Sequence, residues 1–498
     1  MEMLSILKRC NWRSSQNGKC VVAILRAMSE GPVNDTQKKP EHYDIIIGGG
    51  GLVGTTLAVA LAKNKTLADK RILLLEGAPP FRGFDVTKPY SNRVSAINKK
   101  TVELFESIGI WERITNARVK HIKQMQVWES NSDALIQFQH DHFAEDVACI
   151  VENDLILDAV YTELKNSAPN VEVRNKSQIM EVRLPLGKGQ SEIKLRSDEK
   201  FSCELVIGAD GANSLVRKEM NVDVFSIDYK RMGLVATLEV SEAGDNSVAW
   251  QRFIPTGPVA LLPLSEKYTS LVWSTTIEHA KFLKDAPPDE FITKLNEAFC
   301  KEYQKNDFIV KAVNGLNSLM GRSGGNMRQY PPRVHSVLEG SRATFPLGFL
   351  HASSYVCSGA ALVGDAAHRL HPLAGQGVNL GFSDICLLVE TLADGAYSGA
   401  KLGDKHYLLK YEQKALAKNV PMLIGVHGLH TLYSTTLSPV VLLRSLGLQL
   451  THNIPQIKNI FMKRAMVSRF EYPDDRSDEH IVKPVSNHHI MSKTEAKG

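Results

Sequence analysis

Cysteine is sparse in this chain and never falls into a paired spacing. Seven are spread over 498 residues, two of them (Cys10 and Cys20) near the start. The other five, Cys149, Cys203, Cys300, Cys357 and Cys386, make no C-x-x-C pair, which excludes a zinc ribbon and gives no disulfide framework. They read as reduced thiols. Long uninterrupted apolar runs are also missing. The most apolar stretch, 423–450, is broken by His427, His430, Thr431, Ser434, Pro439 and Arg444, so it fails the test for a membrane-spanning helix. Packed helices, a partner surface or an amphipathic segment lying on a membrane all remain open for it, with core packing the default. Basic residues are not clustered with aromatics, and the formal charge is only +5, so a nucleic-acid surface has little support. There is no internal repeat and no low-complexity block. His140 and His142, and the adjacent His488 and His489, lack a completing ligand set, so no metal site is expected.

What the chain has is three separated glycine-acid motifs. The first follows an apolar run, Ile45 to Ile47, and carries Gly49, Gly51 and Gly54 in the spacing G-x-G-x-x-G. In that spacing the first glycine permits the turn, the second lets backbone approach a pyrophosphate, and the third lets helix pack on strand. Ala58, Ala60, Leu61 and Ala62 continue with helical periodicity, and Ile72 to Leu75 reads as the next parallel strand. It ends in Glu76, about 20 residues beyond the glycines, where an acid binds the ribose of an adenosine. This unit predicts a dinucleotide site but does not choose between NAD and FAD.

The third motif bears on that choice. A strand-like run from Ala360 to Val363 ends at Gly364-Asp365, placing a carboxylate where open α/β sheets bind ligands. Pro372, Gly375, Gln376 and Gly377 follow and open a second helical pattern. A helix N-terminus stabilises an anion, including the negative charge of a reduced flavin ring. A simple nicotinamide dehydrogenase has no need of this second site. Between the two lies Asp210-Gly211, continued by Ser214 and Arg217, whose other reading is a capping turn for a helix beginning near Ala212.

The three motifs together resemble the aromatic-ring flavoprotein monooxygenases of the para-hydroxybenzoate hydroxylase fold. Asp210, Gly211, Ser214 and Arg217 match that family's D-G-x-x-S-x-x-R. Arg93 and the residues to Asn98, the segment from Leu104 to Trp111, Val151 to Asn153, Trp250 to Pro255 and Gly257 to Leu264 narrow the likeness to the ring hydroxylases of coenzyme Q biosynthesis. The resemblance spans roughly residues 41–465. One departure is Gly48, where relatives more often carry a β-branched residue.

The resemblance implies FAD as cofactor, held by Gly49, Gly51, Gly54, Glu76, Arg93, Asp210, Gly364, Asp365, Pro372, Gly375, Gln376 and Gly377. A direct flavin role for Arg93 and a capping role on the helix near 97–108 both remain open. It implies hydroxylation of a polyprenylated hydroxybenzoate-type ring with dioxygen, through a flavin hydroperoxide, with no single catalytic side chain to name. It further implies ferredoxin and its reductase as electron donor, with NAD(P)H possible, and company with other coenzyme Q biosynthesis proteins. Another FAD oxidoreductase on the same fold, or a non-catalytic flavoprotein scaffold, are the alternatives.

The expected architecture is an α/β, Rossmann-like FAD-binding domain made of 41–118, 149–222 and 340–400. A mainly antiparallel substrate sheet, 119–148 and 223–339, is inserted into it. C-terminal helices follow at 401–465, then a polar tail at 466–498. Strands are expected at 122–128, 135–138, 233–240, 248–254, 259–264 and 271–274, and a loop at 321–333. Residues 1–29 hold Lys8, Arg9, Arg13, Lys19 and Arg26 against Glu2, and the apolar stretch 21–25 is too short for secretion. These residues read as a mitochondrial transit peptide ending near residue 40 or as a disordered tail, and the resemblance favours the first. The resemblance adds the matrix side of the inner membrane, peripherally bound.

Overall fold

The structure is a computed structural model. It describes residues 40–130, 134–139, 145–185, 187, 189–241, 244–303, 311, 315, 329–371, 377–433, 440–442, 444–445 and 447. The transit-peptide reading, the polar tail, both histidine pairs, and Pro372, Gly375 and Gln376 lie outside these residues.

Strand Glu41–Gly48 is fully buried from Ile45 to Ile47, and an all-apolar run of that length suits a strand covered on both faces. It is followed by helix Leu52–Lys63 and strand Ile72–Leu75, which pairs in parallel with it, Ile45 opposite Ile72 and Gly48 opposite Leu75. The sheet continues through strand Val171–Arg174 on one side. On the other side lies Lys200–Gly208, with Ser202 beside His42 and Ala209 beside Gly48, and then Ala360–Leu362, parallel to it. A hairpin of Ile179–Arg183 and Ser191–Leu195 extends Lys200–Gly208. Five strands therefore end in the same direction. The loops leaving three of them are the glycine-acid motifs, which is the edge where ligands bind in open α/β sheets.

A second sheet of nine strands is mostly antiparallel and is built around the long strand Val224–Val240. That strand pairs with Tyr268–Thr276 on one side and with Ala343–Ala352 on the other. Gly257–Pro263, Val248–Ile254, Gln124–Glu129 and Leu135–Gln139 extend it, and Val248–Ile254 runs parallel to Gln124–Glu129. Trp128, Trp250, Trp273, Phe291 and Phe299 form the core on one of its faces.

Two expectations change. The run 122–128 is not one strand. Ile122 belongs to Lys120–Ile122, paired with Ala148–Glu152 in a separate three-stranded sheet, while Gln124–Glu129 joins the large sheet. The apolar positions slip phase there, from Ile122 to Met125 and Val127, and the hydrogen-bonding partners switch at Lys123. Second, Ala343–Ala352 and the short strand His368–Arg369 pair into the antiparallel sheet, not the parallel one. The chain therefore crosses between sheets on either side of Gly364.

Helix Gly377–Tyr397 follows the Gly364-Asp365 turn, and helix Lys405–Tyr433 packs against it. The second helix contains Pro421 and buries Leu423, Val426 and His430, so core packing accounts for that part of the stretch read as 423–450. No helix among the described residues is long and apolar enough to cross a membrane.

Candidate functional site

The three glycines of the first motif occupy three different environments. Gly49 has φ +109°, and a Cβ there would stand 2.4 Å from the Ala209 carbonyl oxygen. A Cβ on Gly54 would stand 1.9 Å from the carbonyl oxygen of Gly49, so the helix can approach the loop only through a bare glycine. A Cβ on Gly51 would meet nothing within 4 Å. Gly51 is also the residue before helix Leu52–Lys63, whose first turn has no side-chain cap. An open face at the positive end of an uncapped helix suits a pyrophosphate.

Glu76 lies beside this loop. One carboxylate oxygen accepts from the Gly50 N–H at 2.6 Å, the other from the Ala78 N–H at 2.6 Å. The acid is thus fixed against the glycine turn with lone pairs to spare on each oxygen.

Asp210 uses one oxygen to accept from the Leu215 N–H at 2.7 Å, at the start of helix Leu215–Glu219. The helix starts at Leu215, later than Ala212, and its N-cap is Ser214, which accepts from the Arg217 N–H. Capping therefore explains half of Asp210. Its other oxygen, Oδ1, is buried and has no hydrogen-bond partner among the described residues. A buried acceptor left open at a ligand edge fits a hydroxyl-bearing cofactor. Arg217 is buried and donates to the carbonyls of Ala366 at 2.8 Å and Ala212 at 2.6 Å. Burial lowers its pKa, and the Asp210 charge works against that. It ties the second motif to the third, a role not foreseen in the sequence.

Gly364 has φ +59° and sits against Val53 of the first helix, as does Gly381 of helix Gly377–Tyr397. The first and third motifs therefore touch through one valine. Asp365 is exposed, and its carboxylate makes no hydrogen bond among the described residues. Close surrounding protein raises its pKa, against the pull of His368 and Arg369. The carboxylate is thus left without a partner among the described residues.

Asp384, in the middle of an apolar helical run, is the main residue that sequence reasoning passed over. It is fully buried and accepts from the Gly364 N–H at 2.9 Å, from Asn419 Nδ2 at 2.9 Å, and pairs with His368 Nε2 at 2.6 Å. Burial opposes a charge on His368, but Asp384 more than offsets it, and the histidine pKa is raised. A charged residue on the apolar face of a predicted helix was the available signal.

Arg93 is exposed and precedes strand Val94–Ile97. It does not cap the following helix. Helix Lys99–Ser107 is capped by Asn98, whose side chain accepts from the Thr101 N–H. Asn379 ties this segment to helix Gly377–Tyr397: its Oδ1 accepts from Asn98 N and Thr101 Oγ1, and its Nδ2 donates to the Ala96 carbonyl. Elsewhere, His121, Asp146 and Cys149 converge, but Lys123 Nζ already pairs with Asp146 at 2.8 Å.

The geometry thus unites Gly49, Gly51, Gly54, Glu76, Asp210, Gly364 and Asp365 at one sheet edge, with Gly377 opening the adjoining helix. Comparison with known proteins identifies the family. A family model described as an FAD binding domain matches residues 42–322 and 342–421. The ubiquinone biosynthesis monooxygenase COQ6, mitochondrial, of Drosophila melanogaster is 70% identical over 430 residues, covering 86% of this chain and 90% of that one. The Homo sapiens protein of that name is 42% identical over 429 residues, covering 84% and 92%. Among solved structures, PqsL of P. aeruginosa with 2-aminobenzoylacetate has a TM-score of 0.62 at 20% identity, covering 81% of this chain and 100% of that one. The p-nitrophenol 4-monooxygenase PnpA of Pseudomonas putida has a TM-score of 0.62 at 16% identity, covering 86% and 100%. These last two show the fold. The match to ubiquinone biosynthesis monooxygenases over most of the chain sets aside the scaffold and the other FAD oxidoreductase. The chain belongs to the family of mitochondrial ubiquinone biosynthesis monooxygenases, and it is an FAD-dependent monooxygenase.

Proposed function

We propose that this enzyme hydroxylates the aromatic ring of a polyprenylated hydroxybenzoate-type precursor of ubiquinone. The observation that carries the reading is the open cradle at the sheet edge, formed by Gly51, the Asp210 Oδ1 and the Asp365 carboxylate, within a chain of this family. FAD, when bound, supplies the activation of dioxygen toward an electron-rich ring. The chain's own groups hold it there. The bare Gly51 and the helix N-terminus take the pyrophosphate, and Glu76 takes the adenosine ribose. Asp210 and Asp365 accept from ribose and ribityl hydroxyls. Pro372, Gly375, Gln376, Gly377 and Arg93 are the residues assigned to the ring system. The parallel-sheet segments act as the FAD-binding domain and the antiparallel sheet as the substrate domain.

Electrons reach the site from ferredoxin and its reductase, with NAD(P)H the second candidate. The enzyme works with other coenzyme Q biosynthesis proteins at the matrix face of the inner membrane, after loss of a leader near residue 40. A prenyl tail favours that location, because each methylene moved into water costs about 0.8 kcal/mol. Ile424 on helix Lys405–Tyr433 and Phe225 are apolar and well exposed, and supply surface for such contact.

Two measurements test this reading. Asp365→Ala should weaken FAD by about 1–3 kcal/mol, the value of a hydrogen bond to a charged acceptor. An unchanged dissociation constant in a flavin titration would remove Asp365 from the site. Cells lacking the protein should accumulate a ubiquinone precursor short of one ring hydroxyl and recover ubiquinone with the wild-type chain. Normal ubiquinone in those cells would defeat the substrate assignment.

A further inference from the structure

His371 is the last described residue before 372–376, the segment assigned to the flavin ring system, and it is 1% exposed. Its Nε2 lies 3.0 Å from Ser274 Oγ, on the central strand Tyr268–Thr276 of the antiparallel sheet. Its Nδ1 is buried with no hydrogen-bond partner among the described residues. The ring is held in place by aromatic neighbours. His430 stacks on it with centroids 4.8 Å apart, and Tyr229 meets it edge-on at 5.7 Å. Tyr229 is itself fixed by a 3.0 Å hydrogen bond between its hydroxyl and His427 Nδ1. Strand Tyr268–Thr276, strand Val224–Val240 and helix Lys405–Tyr433 thus all contribute to orienting one imidazole.

Burying an unpaired ring nitrogen is costly, and buried polar atoms ordinarily have partners. Here the open nitrogen sits where the substrate sheet meets the chain entering the flavin segment. Burial, with His430 and Arg231 nearby, pushes the His371 pKa down to about 3, so the imidazole is neutral. In the tautomer whose Nε2–H donates to Ser274 Oγ, Nδ1 carries the lone pair and is an acceptor.

Resting on the substrate reading above, we propose that His371 Nδ1 accepts the hydrogen bond of the substrate's phenolic hydroxyl, so that Ser274, Tyr229 and His430 position the residue that sets the ring's orientation. The hydrogen bond leaves the proton on the hydroxyl and anchors it, which fixes which ring carbon is presented for reaction. An aryl ether, having no proton to donate, gains nothing from Nδ1.

The test uses the FAD-loaded full chain and two ligands: a para-hydroxybenzoate with a short prenyl tail beside its hydroxyl, and the methyl ether of the same compound. Binding is read from the perturbation of flavin absorbance. His371→Asn keeps a polar atom at the Nδ1 position and drops the Ser274 contact, while His371→Gln does the reverse. The expected result is that His371→Gln binds the phenol about tenfold more weakly than wild type, the loss of one hydrogen bond in a buried site. His371→Asn retains most phenol affinity, and all three proteins bind the ether alike. Phenol affinity of His371→Gln within twofold of wild type would overturn the proposal. So would equal losses for phenol and ether, or the opposite ranking of the two variants, which would mark the residue as structural. Wild-type protein that binds neither ligand would instead overturn the substrate reading, a separate outcome.

Discussion

Gly51→Val is expected to abolish FAD retention while leaving the apoprotein folded. A Cβ at Gly51 meets no protein atom within 4 Å, so the added side chain strains nothing in the chain itself. It projects into the open face before helix Leu52–Lys63, where a pyrophosphate must come close to backbone N–H groups. The neighbouring Gly54→Ala makes the contrast. Its Cβ falls 1.9 Å from the Gly49 carbonyl oxygen, so that substitution must distort the turn even without cofactor. Purified Gly51→Val should therefore melt as a cooperative apoprotein and show no flavin absorbance, whereas Gly54→Ala should lose stability before any question of binding. A Gly51→Val protein that binds FAD with normal affinity would show that the loop is not the pyrophosphate site.

Asp384→Ala should cost about 3–5 kcal/mol of stability, the usual result of removing one partner from a buried ion pair. It leaves His368 without its carboxylate and the Gly364 N–H and Asn419 without their acceptor. The pH dependence has a defined sign. The folded pKa of His368 is raised, so its pairing stabilises fully below the unfolded value of about 6.5 and is lost as pH rises through the folded pKa. The gap between wild type and variant in urea unfolding should shrink as pH rises across that range. A gap that widens with pH, or a loss under about 1 kcal/mol, would show that Asp384 does not stabilise the fold through a buried pair with His368.

The parts of the site legible in the sequence are those encoded locally. Gly49, Gly51 and Gly54 act within one turn, and their spacing carries the backbone requirement directly. Glu76 ends a strand whose apolar run is visible, and Asp365 ends another. The structure adds physical content that spacing alone does not hold, such as the open Oδ1 of Asp210 beside an oxygen already spent on Leu215.

What stayed hidden depends on partners far away in the chain. Arg217 was visible as a motif residue, but its bond to the Ala366 carbonyl required the Lys200–Gly208 and Ala360–Leu362 strands to be neighbours. Asp384 was marked locally only as a charge in an apolar helical pattern, and its three partners lie elsewhere in the chain. The break at Lys123 shows in the sequence only as a one-residue slip of phase between Ile122 and Met125, and the change of pairing partner there depends on distant strands. Ala343–Ala352 lies close in sequence to the Gly364 turn yet pairs with Val224–Val240, since strand pairing follows register with a distant partner. Arg93 was balanced between two roles, and Asn98 at the helix cap removes one of them.

The central claim is that this chain inserts oxygen from dioxygen into the ring of a prenylated phenol. The most direct measurement is a single turnover of chemically reduced, FAD-loaded protein with isotopically labelled dioxygen and a short-tailed prenyl hydroxybenzoate, read by mass spectrometry. One labelled oxygen atom in a new ring hydroxyl is the predicted result. Reoxidation of the flavin with all oxygen recovered as peroxide and no labelled product, from protein that binds the phenol, would contradict it.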